Sequence, residues 1–419
     1  MEKIIDEKPS FQQVEEYIKR KFSEYYLDNS QRIMPPLRME KREYGFLLFR
    51  EKIMVRHRAF QAVNELRRFV ENTIPSDAYH STAYYEKPAE EMENKGWNGS
   101  DLCFDIDADH IRTPCKEIHD TWLCKSCGTA EKGEAPANCP KCQSTKIEQD
   151  TWLCEQCLEK AKDEVMKLIE ILTGDFGLST KEMHVNFSGH RGYHLHVLSD
   201  EVITLNDNER KEIVDYVLGL GLDPIFHGLH ERGVEREIIG PQVTDPGWRG
   251  RLARGVYDTL ISLGITQPSQ AKDRTAKLIA QQREVIQDWL RGAGWGAFSG
   301  IGIKTWKKII EKAVSEAKLG ARIDTVVTTD IHRLIRLTET LNGKTGLRVV
   351  EADIGGLEAF DPFKQALAMR GEETVQITEA PQFRLGEETF GPYKEQKETL
   401  PAYAALLLVC KGKATPVTN

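Results

Sequence analysis

The run Asp101-Leu102-Cys103-Phe104-Asp105-Ile106-Asp107-Ala108-Asp109 carries acidic and apolar residues in alternation. Read as a strand, it puts Leu102, Phe104 and Ile106 on one face and Cys103, Asp105, Asp107 and Asp109 on the other. Carboxylates two positions apart on a strand are roughly 7 Å apart at Cα, close enough to share one pair of hard divalent cations. Without cations such a cluster repels itself. The competing reading is a solvated acidic strand end.

A second constellation is Ser188-Gly189-His190-Arg191-Gly192-Tyr193-His194, placed between the strand-like segments Met183–Ser188 and Tyr193–Leu198. Its two glycines permit a tight turn with backbone N–H groups exposed. Arg191 offers a forked positive charge, and Ser188 and His194 offer hydrogen bonds, a set that suits a polyanion. A nucleophilic serine would call for a G-x-S-x-G elbow, which this motif lacks. His196 shares a strand face with His194 and reads as a packed histidine. A third patch runs from Asp324 to Lys344. Arg333 and Arg336, three apart, predict one basic helix face. Lys344 lies in the turn Asn342-Gly343-Lys344-Thr345-Gly346, which lacks the G-x4-G-K spacing of a Walker A loop.

Seven of the nine cysteines fall between Cys115 and Cys157. In a reducing cytosol that crowding points to metal rather than disulfides. Asp120-Thr121-Trp122-Leu123-Cys124 recurs as Asp150-Thr151-Trp152-Leu153-Cys154, each copy ending in a C-x2-C pair. With Cys115, His119 and the pair Cys139/Cys142 there are eight ligands, enough for two closed tetrahedral zinc sites of the structural kind. The spacing predicts a knuckle of Cys115, His119, Cys154 and Cys157. Into it is inserted a ribbon, residues 120–149, holding Cys124, Cys127, Cys139 and Cys142. A swap of Cys124 and Cys127 with the repeated pair stays open. Cys103 and Cys410 stand apart and read as packing residues.

These residues need elements to hold them. Apolar spacing predicts helices over about 10–28, 61–72 and 155–173, and a hairpin over 43–60. From 205 to 320 the pattern is of short helices punctuated by Gly and Pro, followed by strands and helices to about 410. The expected organisation is a catalytic domain in two parts, 1–204 and 321–419. The first part carries the zinc-binding insertion at 115–157, and a helical subdomain, 205–320, separates the two. A chain of 419 residues can hold two or three such domains. Its 40% hydrophobic and 29% charged content is that of ordinary globular proteins. No apolar run approaches a membrane span, and Met1–Asp6 shows no signal pattern, so a cytoplasmic location is expected. The net charge of −8 argues against a general polyanion binder but leaves room for a local basic groove.

In combination the motifs resemble the small catalytic subunit of the archaeal and eukaryotic DNA primase, and their texture is archaeal. Phe104-Asp105-Ile106-Asp107 is similar to that family's catalytic strand, and Ser188–His194 to its Ser-Gly-x-Arg-Gly-x-His motif. Asp324, Arg333-Leu334-Ile335-Arg336 and Lys344-Thr345-Gly346 resemble its third acidic region and phosphate-side motif. Lys41-Arg42-Glu43 and Ile53-Met54-Val55-Arg56 resemble its N-terminal elements. The resemblance implies a mixed-sheet α/β primase domain with inserted zinc modules and a mainly helical subdomain. It implies two Mg2+ or Mn2+ ions on Asp105, Asp107 and Asp324, with Asp109 and Asp330 as lesser rivals. Nucleotide contacts would come from Ser188, His190, Arg191, His194, Arg333, Arg336 and Lys344, with Arg56 and Glu43 in the pocket. The activity would be synthesis of short RNA primers on single-stranded DNA from nucleoside triphosphates, beside a large regulatory subunit. Two features depart from the family: the inserted ribbon is larger than its minimal knuckle, and Asn342 stands where many members have histidine. The rival activities are a primase-polymerase of DNA repair, which fills gaps or extends ends, and a non-catalytic zinc-ribbon protein that binds nucleic acid.

Overall fold

The computed structural model describes residues 10–49, 53–265, 274–289, 294–317 and 319–417. Met1–Asp6 and parts of the expected helical subdomain lie outside them. The chain divides into two compact units. One comprises residues 1–165, 180–211 and 323–419, and the other residues 166–179 and 212–322.

The first unit is mixed α/β. It opens on the helix Phe11–Asn29, which starts where it does because Ser10 and Gln13 cap each other reciprocally. One side of this helix buries Tyr17, Phe22, Tyr25 and Tyr26. A four-stranded sheet follows, ordered Leu334–Arg336, Asp77–Ser81, Tyr44–Leu47, Met54–Arg58. The last two strands form the expected hairpin. A second four-stranded sheet is ordered Val350–Ala352, Met183–Phe187, Gly192–Val197, Leu102–Asp107. The rings of His80 and His196 stack at 6.0 Å between the two sheets, beside the buried Arg42–Asp101 ion pair at 2.8 Å.

Each strand pair among the described residues is antiparallel, which corrects the expected mixed sheet. Met183–Phe187 and Gly192–Val197 are joined by the four-residue turn 188–191. That is far too short for a parallel crossover, which needs a dozen or more residues.

The zinc-type insertion is a small three-stranded sheet, with Thr121–Cys124 between Ala130–Lys132 and Ile147–Asp150. Its core is Trp122, Cys124 and Cys139. At the C-terminal end, Glu372–Ala380 lies between Tyr393–Pro401 and Ala414–Pro416, and the buried helix Ala402–Cys410 packs on it.

The second unit is mostly helical, with one two-stranded hairpin, His230–Arg232 with Glu237–Ile239. Trp289, Trp295 and Trp306 meet edge to face at 4.8–5.8 Å, and Leu252, Val256 and Ile310 pack around them.

Candidate active site and metal centres

The acidic strand ends earlier than its alternation suggested. It spans Leu102–Asp107, and Ala108–His110 is a 3-10 turn. The Asp107 carboxylate accepts the Asp109 N–H at 2.8 Å and turns the chain. Asp109 therefore leaves the strand face and pairs with Arg191 at 2.7 Å. Asp105 and Asp107 remain together on the half-exposed face.

The strand Gly192–Val197 runs antiparallel beside them, with His194 opposite Asp105 and Gly192 opposite Asp107. Glycine is required there: a Cβ on Gly192 would sit 2.4 Å from the Ile106 carbonyl oxygen. Gly189 takes φ +75° in the turn that precedes it. Ser188 Oγ accepts from the backbone N–H groups of His190 and Gly192, at 3.4 and 3.3 Å, and so pins the turn.

Asp324 arrives from far along the chain. Its backbone N–H donates to the Asp105 carbonyl at 2.8 Å, and its carboxylate caps the short helix Thr325–Thr329 through Val326 N–H at 2.9 Å. Burial first, then the charges of Asp107 and Asp324, push the Asp105 carboxyl up to about 7. Arg333 and Arg336 act in the opposite sense. Asp330 sits at the far end of that helix, as its C-cap.

Arg333 and Arg336 do not share a helix face. The helix stops at Thr329, and Asp330 accepts the His332 N–H at 2.9 Å, which redirects the chain. Leu334–Arg336 then pairs as an edge strand with Tyr79–Ser81. Arg336 forms an ion pair with Asp77 and lies over the Tyr79 ring at 5.3 Å.

Together these elements line a cleft of about 230 Å³. Its acidic side is Asp105 and Asp107, its cationic side Arg333, Arg336 and Lys344, and Ser188 and His190 of the turn with His194 of the next strand complete the lining. His194 is buried, with Nε2 3.6 Å from Asp105 Oδ1. Burial, and then the neighbouring charges of His196 and Arg336, keep its proton affinity well below the usual imidazole range, so it faces Asp105 as a neutral ring. Asn342 is fully buried and joins two loops: its amide donates to the Ser188 carbonyl at 2.9 Å and accepts the Lys344 N–H at 3.0 Å. It thereby ties the Ser188 turn to the Lys344 loop at the edge of the cleft.

Three expected contacts lie elsewhere. Arg191 is wholly buried against Asp109, Asp120 and Cys157. Glu43, also buried, is gripped by Arg56 at 2.9 Å and Lys95 at 2.8 Å in a separate ion-pair cluster. Those bonds outweigh burial and hold its carboxyl below the usual range. The structure adds residues that the motifs did not announce. Lys411 donates to His190 Nε2 at 2.8 Å and to the Thr151 carbonyl at 3.0 Å. Burial lowers the Lys411 ammonium to about 8. Asp77 and Tyr79 orient Arg336. A lone lysine and an unremarkable strand carry no sequence signal.

Two groups of metal-ligating side chains are gathered, Cys115/His119/Cys154/Cys157 and Cys124/Cys127/Cys139/Cys142, with the ligand atoms of each within 4.8 Å of one another. This is the partition that the spacing predicts. Thiolates and one imidazole in fours suit zinc. His119 is oriented by its other ring nitrogen, which meets Asp120 at 2.7 Å.

Comparison with known proteins agrees with this geometry. The family model for the DNA primase small subunit matches residues 140–354, which contain the Ser188–His194 turn and the Asp324–Lys344 region. Relatives described as DNA primase small subunit PriS are similar over nearly the whole chain. The protein from Methanothrix thermoacetophila is 35% identical over 421 residues, covering 95% of this chain and 98% of its own. Those from Archaeoglobus fulgidus and Nitrosopumilus maritimus are 33% and 31% identical, each with the same coverage. The chain belongs to the DNA primase small subunit family, in its archaeal form.

Proposed function

We propose that this chain is the catalytic subunit of a DNA primase, a nucleotidyltransferase that makes short RNA primers on single-stranded DNA for replication, and that the cleft is its active site. The observation that carries the assignment is the bond from Asp324 N–H to the Asp105 carbonyl. It brings Asp324 from far along the chain beside the acidic strand, whose Asp105 and Asp107 share the cleft with Arg333, Arg336 and Lys344. Asp105, Asp107 and Asp324 would hold Mg2+ or Mn2+, and the donor set fits: hard oxygens, with burial first and then mutual repulsion raising the proton affinity of Asp105. When bound, two such ions lower the pKa of an attacking 3′-hydroxyl and neutralise triphosphate charge.

The protein's own part is positioning and electrostatics. Arg333, Arg336 and Lys344 receive the triphosphate, and Asp77 holds Arg336 in place. The Ser188–Gly192 turn and the neutral His194 present hydrogen-bonding groups beside the acidic strand. The two cysteine groups are closed sets of four and would hold structural zinc. A large regulatory subunit would complete the enzyme as a heterodimer.

The test gives the purified chain single-stranded DNA, labelled ATP with the other nucleotides, and Mg2+ or Mn2+, without primer. An Asp105→Ala/Asp107→Ala protein runs beside it, and a primed template serves as a second substrate. Short products from the intact chain alone establish initiation. Extension without initiation means a competent polymerase that needs its partner, or the gap-filling activity. Silence on both templates, or activity in the double variant, sinks the assignment.

A further inference from the structure

Arg191 was expected as a phosphate contact, yet its side chain is 0% exposed. Its guanidinium Nη1 lies 2.7 Å from Asp109 Oδ1 and 3.4 Å from Asp120 Oδ2, and its Nη2 lies 3.5 Å from Cys157 Sγ. Its carbonyl accepts the Ala108 N–H at 3.0 Å. Backbone and side chain thus hold the turn that ends the acidic strand. The other oxygen of Asp120 meets His119 Nδ1 at 2.7 Å and accepts the Trp152 N–H at 3.0 Å. A continuous path therefore runs from the ligands His119 and Cys157, through Asp120 and Arg191, to Asp109 and the strand of Asp105 and Asp107. A desolvated guanidinium keeps such a place only where anionic partners surround it.

We propose that Arg191 is a positioning residue that couples the Cys115/His119/Cys154/Cys157 site to the catalytic carboxylates. A filled knuckle fixes His119 and Cys157. They and Asp120 fix Arg191, and Arg191 draws Asp109 away from the face that Asp105 and Asp107 share. With Arg191 released, Asp109 returns as a rival ligand and the divalent site loses its shape. The inference rests on the assignment of Asp105, Asp107 and Asp324 as that site.

The test compares zinc-loaded full-length Arg191→Gln and Arg191→Lys proteins with the parent. Three quantities are read: zinc release to a chromogenic chelator, the half-saturating Mg2+ concentration for extension of a primed template, and KM for the nucleotide. In Arg191→Gln one of the two zinc ions should leave about tenfold faster, the usual scale for loss of a partner behind a metal ligand, while the other is unaffected. The Mg2+ requirement should rise several-fold with nucleotide KM little changed, and lysine should restore part of both. Parental zinc release, or an unchanged Mg2+ requirement, overturns the coupling. A raised nucleotide KM with zinc and Mg2+ behaviour intact makes Arg191 a phosphate contact instead. If Arg191→Gln does not fold, Asp120→Asn must show the same faster release and raised Mg2+ requirement, and parental values there overturn the proposal equally. Zinc release needs no polymerase activity, so its outcome stands apart from that of the assigned function.

Discussion

Asp105 is held at a disadvantage that a cation can relieve. Its carboxyl ionises at about 7 in the folded chain, against an ordinary value near 3.8. A carboxylate whose proton affinity rises on folding contributes most at pH below its unfolded pKa, and that contribution is lost as pH rises through the folded one. The zinc-loaded protein, in buffer free of Mg2+ and Mn2+, should therefore be stabilised by Asp105→Asn, by up to about 4 kcal/mol at pH 8 and by less at pH 5. Thermal melts at the two pH values check this, and an equal gain at both would contradict it. Mg2+ should raise the melting temperature of the parent more than that of the variant. That Asp105, Asp107, Ser188, His194 and Lys344 line one cleft follows their motifs, whose side chains lie beside one another in sequence. The places of Arg191 and Glu43 were not legible from theirs. Whether a charge faces a cleft or a buried counter-charge depends on partners such as Asp120 and Lys95, remote in sequence from it.

At the scale of elements, local patterns told strand from helix where burial was one-sided. The helix Glu155–Gly174 and the hairpin Tyr44–Arg58 stand close to where periodicity put them. Two readings failed for physical reasons. Asp107 captures the Asp109 N–H and cuts the strand short, and Asp330 does the same to the helix before Arg333. Short polar side chains that bond nearby backbone override an alternating or helical pattern. The junction of the acidic strand with its neighbour is the least forgiving contact. A methyl group at Gly192 would strike the Ile106 carbonyl at 2.4 Å, so one partner must shift. Gly192→Ala should cost roughly 1–3 kcal/mol and abolish primer extension. Metal analysis should still find two zinc ions, because neither ligand group includes this strand. A variant that extends primers normally would show that the strand pair can open without harm.

At the scale of the molecule, the cysteine spacing was the most legible feature, since metal sites gather ligands from short, regular intervals. The pairing of Leu102–Asp107 with Gly192–Val197 and the reach of Lys411 to His190 were hidden, because long-range pairing leaves no local mark. The ribbon has its own small core around Trp122, and its basal strands pair Thr121 with Asp150. Replacing residues 121–149 with two glycines should lower the zinc content from two to one per chain and preserve extension of a primed template. Loss of both ions would show that the knuckle leans on the ribbon. No helix among the described residues is long and apolar enough to cross a membrane.

The bond between Asp324 and Asp105 spans more than half the chain, and Lys411 joins the same site later still. Synthesis runs from the N-terminus, so the ribosome delivers both cysteine groups complete by Cys157, long before the third carboxylate exists. A nascent chain arrested anywhere between them has the ligands to collect zinc and only two of the three carboxylates proposed to hold the divalent ions. Under the proposed assignment, an incomplete chain carries a finished zinc-type framework and an unfinished divalent site.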